Sequence, residues 1–353
     1  MRLRSVALTA VLACAPVLVA LPAQAAATCA GLPATIEGTS GNDSMLGTPL
    51  NDVVVLGAGH DSFDGLGGDD IICGGPGKDK LAGGDGNDRV FGDAGKDYFI
   101  GDAGNDRIVG GSGRDYLSYY TQTSGIKVTN GNTIDGAGAG HDTTDVESIE
   151  GTAYADRMRG GSGDDDLHGL IGKDLLTGGA GTDFLAATGG IIRGGADGDF
   201  VDVSGSVTAY LGRGVNAATI GTGNPKVVGG PQQDEFNFRG RNNHATVDGG
   251  GSDNQIVFMG VRRGVSADIG KGLATWSGGT LTFSRVHTLI GTFRKDVLVG
   301  SDGSDVLQGR AGADVLRASG GNDIITGQGG QDTGDGGSGL DYCYVEVRRN
   351  CEG

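Results

Sequence analysis

Residues 65–91 read GLGGDDIIC, GGPGKDKLA and GGDGNDRVF, three nonapeptides in direct succession. Each has Gly at positions 1 and 4, Asp at position 6 and an apolar residue at position 8. The register continues without a slip from Gly38 to Ser118. A short fixed period of this kind indicates a repeat architecture in which each unit packs only on its neighbours.

Aspartate at position 6 is the most regular feature of the repeats, and it defines three arrays. In the first array, residues 38–118, the position-6 residues are Asp43, Asp52, Asp61, Asp70, Asp79, Asp88, Asp97, Asp106 and Asp115. In the second array, residues 151–186, they are Asp156, Asp165, Asp174 and Asp183. In the third array, residues 291–344, they are Asp296, Asp305, Asp314, Asp323 and Asp332, with Asp341 in a final repeat that we expect to have no partner above it.

The spacing gives these carboxylates a chemical role. A three-residue strand at positions 7–9 points only position 8 inward, and the preceding glycines turn the chain back. If two nonapeptides make one coil, Asp43 lies over Asp61 at about 4.8 Å, where two bare carboxylates repel by about 1 kcal/mol even in water. A calcium ion, which prefers six to eight carboxylate and carbonyl oxygens, reverses that repulsion. The alternative is a column of metal-free turn residues, since Asp also favours turns.

The nonapeptide Gly-Gly-x-Gly-x-Asp-x-apolar-x resembles the RTX, or haemolysin-type, calcium-binding repeat. The resemblance covers most of the chain beyond its N-terminal leader. It implies an all-β fold, a right-handed parallel β-roll with two nonapeptides per turn and irregular β spacers, and several calcium ions held in the loops. The whole layout is similar to that of secreted proteins of actinomycete type.

The arrays and the less regular segments between them predict the domain organisation. We expect a signal peptide at 1–25, with Arg2 and Arg4 before an apolar stretch, and an N-terminal cap at 26–37. A membrane anchor is the alternative for the leader. Spacers follow the first two arrays at 119–150 and 187–290, the second containing degenerate repeats around Asp199 and Asp234. A C-terminal cap at 345–353 ends a chain predicted to be secreted.

Four cysteines lie outside the leader, and an even number in an exported chain indicates disulfides. Among the possible connectivities, we favour Cys29 with Cys73 and Cys343 with Cys351. The first bond would tie residues 29–36, or a spacer, onto an apolar outer face of the first array.

The acidic composition limits the range of partners. The chain has 44 Asp and Glu against 27 Lys and Arg, a formal net charge of −17. This disfavours nucleic acid and anionic membranes and favours cations, and no segment after the leader is apolar enough to span a bilayer. No common hydrolase or phosphate-binding motif is present, so we predict a non-enzymatic structural or surface-interaction module. The alternatives are a polysaccharide-active site in 187–290, near Asp234 and Glu235, and a calcium-dependent adhesin that recognises a cell-surface or matrix polysaccharide or protein.

Overall fold

A computed structural model describes residues 27–136, 138–239 and 243–352, so the predicted signal peptide lies outside the described residues. Within these ranges the regular elements are all β-strands, and 35 of them join one continuous sheet. No described segment forms a helix that is long and apolar enough to cross a membrane. The parallel β-roll predicted from the repeats is therefore confirmed.

The first array forms the most regular coils of the roll. A hairpin precedes it, formed by β1 (Thr28–Cys29) and β2 (Leu32–Pro33). The coil strands are β3 (Ile36–Glu37), β4 (Ser44–Leu46), β5 (Val53–Val55), β6 (Ser62–Asp64), β7 (Ile71–Cys73), β9 (Lys80–Ala82), β10 (Arg89–Phe91), β12 (Tyr98–Ile100), β13 (Arg107–Val109) and β14 (Tyr116–Ser118). The short strands β8 (Pro76–Gly77) and β11 (Ala94–Gly95) pair with each other at the loop edge.

These strands occupy positions 7–9 of their repeats, as the pattern predicts. Phe63 lies at the centre of β6 and is buried in the core, while its neighbours Ser62 and Asp64 face outward. β6 pairs in parallel with β4, so that Met45 lies beside Phe63 across an offset of 18 residues. Two nonapeptides therefore make one coil, and the roll has two β-faces joined by the glycine loops.

The spacer at 119–150 leaves this pattern and then returns to it. Its strands are β15 (Ile126–Thr129), β16 (Thr133–Gly136), β17 (Gly140–Thr144) and β18 (Ser148–Glu150). The first three form an antiparallel meander, while β17 pairs in parallel with β13 below and β15 pairs in parallel with β19 (Arg157–Arg159) above. The second array continues with β20 (Asp166–His168) and β21 (Asp174–Gly179).

The central segment has the longest strands and the widest core. Its strands are β22 (Phe184–Gly195), β23 (Phe200–Gly212), β24 (Ala217–Gly223), β25 (Lys226–Val228), β26 (Glu235–Arg239), β27 (Asn243–Asp248) and β28 (Gln255–Gly260). Phe238, Phe258 and Trp276 pack their rings together, with centroids about 6 Å apart. This aromatic cluster gives the segment a larger apolar core than the one-residue core of the arrays.

A second antiparallel meander precedes the third array. It comprises β29 (Ser266–Asp268), β30 (Leu273–Trp276) and β31 (Gly279–Ser284). The remaining strands are β32 (Thr288–Ile290), β33 (Val297–Val299), β34 (Val306–Ala311), β35 (Val315–Arg317), β36 (Ile324–Gly329), β37 (Thr333–Asp335), β38 (Tyr342–Tyr344) and β39 (Val347–Arg349). The second and third arrays thus both begin on a meander.

The two ends of the roll carry the disulfides. Cys29 in the N-terminal hairpin is bonded to Cys73 on β7, and Cys343 on β38 is bonded to Cys351. The hairpin strand β1 contacts the outer faces of β5 and β7. The hairpin thus covers the start of the apolar outer face to which Val55 and Cys73 belong.

Candidate metal centre

The position-6 aspartates are brought into two columns, one along each loop edge of the roll. Within a column, the backbone N–H of most aspartates donates to Oδ1 of the aspartate one coil later. The distance is 2.8 Å from Asp61 N to Asp79 Oδ1 and 2.8 Å from Asp296 N to Asp314 Oδ1. In these aspartates Oδ1 therefore accepts a hydrogen bond from the neighbouring coil. What each site can bind depends on the surroundings of the other carboxylate oxygen, Oδ2.

The columns also pass through the spacers, where the period of nine is lost. The Asp106 N–H donates to Asp142, and that of Asp115 donates to Glu147, 36 and 32 residues away. The further members that the sequence did not assign as ligands are Asp199, Asn216, Asp234, Asn254, Asp341, Glu346 and Glu352. The degenerate repeats around Asp199 and Asp234 were the one sequence signal for this continuation.

The last repeat differs from expectation. The sequence predicts that Asp341 has no partner above it, but its backbone N–H donates to Glu352 Oε2. The bond between Cys343 and Cys351 folds the C-terminus back over this loop and brings Glu352 to the place of a column aspartate. That expectation was wrong because a carboxylate outside the repeat completes the column.

The environment of Oδ2 divides the column aspartates of the repeats, apart from Asp115, into two groups. In the first group, which we call the unpaired carboxylates, Oδ2 is buried and has no hydrogen-bond partner among the described residues. They are Asp61, Asp70, Asp79, Asp88, Asp97, Asp106, Asp174, Asp183, Asp199, Asp314, Asp323, Asp332 and Asp341. A buried charged oxygen without a partner is costly, so each of these positions calls for a cation or a proton.

In the second group, the capped aspartates, Oδ2 accepts the backbone N–H of position 2 of its own loop. They are Asp43, Asp52, Asp156, Asp165, Asp234, Asp296 and Asp305. In five of these loops position 2 is Thr or Ser, and its hydroxyl also donates to the carboxylate. Apart from Asp234, the capped aspartates are the first two of each array. The Gly-Thr pair that opens every array therefore has a physical function.

Backbone conformation at position 2 separates the two groups, apart from the loop of Asp106, where Asp102 does not have a positive φ. Leu66 and Arg310, which precede the unpaired carboxylates of Asp70 and Asp314, have φ of 71° and 77°. The positive φ is unfavourable for residues other than glycine, whereas Thr152 and Thr292 of capped loops do not adopt it. The loops with unpaired carboxylates thus hold backbone strain of about 1–3 kcal/mol at each such residue, as is typical of ligand-binding loops.

At several position-1 glycines, an unpaired Oδ2 and a carbonyl oxygen of the next coil lie around the same small space. A Cβ added to Gly74 would lie 2.7 Å from Asp79 Oδ2 and 3.1 Å from the carbonyl oxygen of Gly92. The position-1 glycine therefore leaves a space in which acceptor oxygens of two coils face each other. Hard oxygen donors of this kind suit calcium, and they repel one another unless a cation lies between them.

Asn254 provides an internal comparison. Its Nδ2 lies 2.6 Å from a Cβ built on Gly249, and Asp234 Oδ2 lies at the same distance from one built on Gly229. The Nδ2 group donates to the carbonyl oxygens of Gly251, at 2.7 Å, and Arg285, at 3.1 Å. An amide donor at the place of Oδ2 thus satisfies the surrounding carbonyls, whereas a carboxylate there can do so only with a cation or a proton between the oxygens.

The electrostatics are consistent with this requirement. Burial, reinforced by neighbouring carboxylates, raises the pKa of Asp88 and Asp97 to about 6, and it raises that of Asp199 to about 7. Without a counter-ion these side chains are therefore destabilised as anions.

Comparison with known proteins agrees with the geometry. The family model of the RTX calcium-binding nonapeptide repeat (4 copies) matches residues 46–81, 82–117, 150–185, 290–325 and 311–343. No curated protein matches the chain. Among solved structures, the crystal structure of extracellular lipase LipA from Serratia marcescens is 17% identical, over 70% of this chain and 38% of the lipase, with a TM-score of 0.17.

The chain therefore corresponds to well under half of that lipase, and a similarity this weak carries no argument about fold or activity. The family assignment rests instead on the repeats, which are matched in all three arrays. The three arrays are RTX calcium-binding nonapeptide repeats.

Proposed function

We propose that the protein binds calcium ions between successive coils at its unpaired carboxylates, and that it acts outside the cell as a calcium-dependent structural and surface-interaction module. The observation that supports this most directly is the comparison with Asn254. Where the column residue is Asn, an amide donor satisfies the loop carbonyls; where it is Asp, two sets of acceptors face each other.

In this proposal Asp156 and Asp296, the capped aspartates that open the second and third arrays, hold no ion of their own. Asp296 accepts backbone N–H groups from Val265 at Oδ1 and from Thr292 at Oδ2, so both of its oxygens are occupied. Asp156 likewise accepts a backbone N–H from Ile126 at Oδ1 and one from Thr152 at Oδ2. Because backbone N–H groups from the meander segment and from the loop itself hydrogen-bond both oxygens of these two carboxylates, folding of the second and third arrays can start there before calcium arrives.

The proposal is tested by matched substitutions in the third array. We expect Asp314→Asn to lower the calcium bound per chain by about one ion, because its amide would donate to the loop carbonyls as that of Asn254 does. Asp296→Asn lies one coil earlier in the same column and should leave the bound calcium unchanged. Calorimetric titration together with elemental analysis of dialysed protein measures both values. Equal loss in the two variants, or loss in neither, would contradict the assignment.

A groove on the outer face supports the surface-interaction role. It has a volume of about 670 Å³ and is lined by side chains including Arg114, Asp166, His168, Phe184 and Phe200. Asp166 Oδ2 lies 2.8 Å from Arg114 Nη2, and Asp166 Oδ1 lies 2.7 Å from His168 Nε2. The His168 ring packs on the Phe184 ring, with ring centroids 5.4 Å apart. Aromatic surface beside fixed polar groups suits an uncharged polysaccharide chain.

We expect Phe200→Ala to weaken binding of the calcium-loaded protein to insoluble chitin or cellulose by about tenfold, because Phe200 offers the most open ring of the groove. Tyr342→Ala is the control, since Tyr342 also occupies position 7 and both side chains are 54% exposed. Pull-down isotherms measure the difference. If neither polymer binds, or if both variants bind equally, the groove is not a polysaccharide site.

The arrangement around Asp234 does not favour the alternative of a polysaccharide-active site there. Asp234 is buried in the column, where its oxygens accept bonds from Gly230 and Asn216. Glu235 lies on β26, and its carboxylate accepts hydrogen bonds from Asn237 Nδ2 and Gln255 Nε2. The two carboxylates therefore have separate partners and do not face a common cleft.

A further inference from the structure

Asp102 is an unusual residue in the first array, because it occupies position 2 of its nonapeptide and most nonapeptides of this array have Gly or Thr there. Its carboxylate is turned toward the column, and oxygens of Asp88, Asp102 and Asp106 all lie within 4.8 Å of one another. Asp93 also occupies position 2, in the preceding nonapeptide, but it has φ of 69° and its side chain is exposed. The same residue type at the same repeat position thus has two different orientations.

The spacer holds Asp102 in its inward orientation. Its Oδ2 accepts the backbone N–H of Gly84 at 2.6 Å, and Gln122 Nε2 donates to the carbonyls of Gly101 and Asp102 at 3.2 and 3.3 Å. The Tyr119 hydroxyl donates to Asp142 Oδ2, 2.6 Å away, in the next position of the column. The first residues of the spacer are therefore fastened to this loop, which lies at the junction of array and spacer.

A further observation indicates that the cluster holds a ligand. Asp88 and Asp106 are only 1% and 3% exposed, and Oδ2 of each has no hydrogen-bond partner among the described residues. Three carboxylates this close, two of them buried, need a cation to be stable as anions.

We propose that Asp88, Asp102 and Asp106 form a three-carboxylate cation site that binds calcium more tightly than the repeat loops and takes a trivalent lanthanide in its place. The inference rests on the proposed calcium-binding function and adds a distinct site to it. Adding a charged side-chain ligand to an oxygen site raises its affinity. A repeat loop provides carbonyl oxygens and the column aspartates alone, so the third carboxylate sets this site apart.

The test compares three variants of the chain without its leader. Asp102→Gly restores the residue found at Gly84 and Gly111, and Asp102→Asn keeps the shape of the side chain and removes its charge. Asp93→Gly is the control, because it removes the same charge at the same repeat position from an exposed side chain. Calorimetry with CaCl₂ and luminescence titration with TbCl₃ measure the affinities, and circular dichroism checks the strand content of each variant.

We expect the wild type and Asp93→Gly to show one ion bound at least about tenfold more tightly than the remainder, for calcium and for terbium. Both Asp102 variants should lose that step and retain the weaker sites. If all four proteins show one uniform class of sites, the three-carboxylate site is refuted while calcium binding by the repeats stands. If the wild type binds no calcium at all, the proposed function fails first. If Asp102→Gly does not fold, the titrations of Asp102→Asn decide whether the three-carboxylate site exists.

Discussion

Removal of calcium is expected to unfold the first and third arrays and to leave the part of the chain between Lys226 and Ile290 largely intact. Thirteen described aspartates have an unpaired Oδ2, and most of them lie in the first and third arrays. Each array coil buries about one apolar side chain per repeat, worth about 1.5–3 kcal/mol, which does not offset its glycines and uncompensated carboxylates. Between Lys226 and Ile290, by contrast, the column residue is Asn254 or the capped Asp234, and the aromatic cluster fills the core.

Hydrogen exchange with mass spectrometry, with and without a chelator, measures this difference segment by segment. Peptides from 38–118 and 291–344 should lose their protection, and peptides from 226–239 and 243–290 should keep most of it. Protection that is retained everywhere would show that calcium is not needed for folding. Protection that is lost everywhere would show that the central core depends on its neighbours.

The pH dependence of the calcium-free protein provides an independent check. Burial raises the pKa of Asp88, Asp97 and Asp314 to about 6, above the usual value of 3.8, so the folded chain binds more protons than the unfolded chain between about pH 4 and 6. The free energy of unfolding therefore falls as the pH rises through that range. Calcium-stripped protein should thus regain strand signal by circular dichroism when the pH is lowered from 7 to about 5.

Gly113→Ala is expected to destabilise the calcium-loaded first array by about 3–5 kcal/mol. Gly113 has φ of 145°, and an added Cβ would overlap the carbonyl oxygen of Gly95 and lie 2.6 Å from its carbonyl carbon. Since both atoms belong to the backbone of the adjacent coil, neither can move without breaking the stack. Thermal unfolding followed by circular dichroism at saturating calcium measures the loss.

Gly163→Ala is the matched control. Gly163 is also at position 4 of its repeat and is also exposed, but a Cβ there would meet no atom within 4 Å, and its φ is not positive. We expect this variant to unfold within about 0.5 kcal/mol of the wild type. If the two alanine variants are equally stable, the close approach of coils at Gly113 is not a constraint on the fold.

Much of the architecture could be predicted from the period alone. Because side chains alternate along a strand, position 8 had to face the core, and Phe63, Leu81 and Phe99 do so. The offset of 18 residues between paired strands and the Asp columns of the arrays follow from the same register. These features are local and repeated, so every nonapeptide independently predicts the same core position and the same strand pairing.

Thr or Ser at position 2 marks five of the capped loops in the sequence, but the structure was needed to separate the capped from the unpaired aspartates, because Gly161 also caps and Ser319 does not. The separation depends on which backbone N–H points at Oδ2, and that is decided by φ at position 2 and by the segment that lies on the coil. The column continues through Asp142 and Glu147 because the meander returns the chain to the same edge, 36 and 32 residues after Asp106 and Asp115.

The sequence by itself determined the β-roll, its core positions and the carboxylate-rich loops, because a nine-residue period fixes where every side chain of an array points. The tertiary structure decided which carboxylates lack a partner, which loop has Asp102 turned toward the column and which glycine has room for a methyl group. Each of these three features depends on which residue lies one coil away. Within an array the nine-residue period sets that neighbouring residue, but next to a spacer the path of the chain sets it.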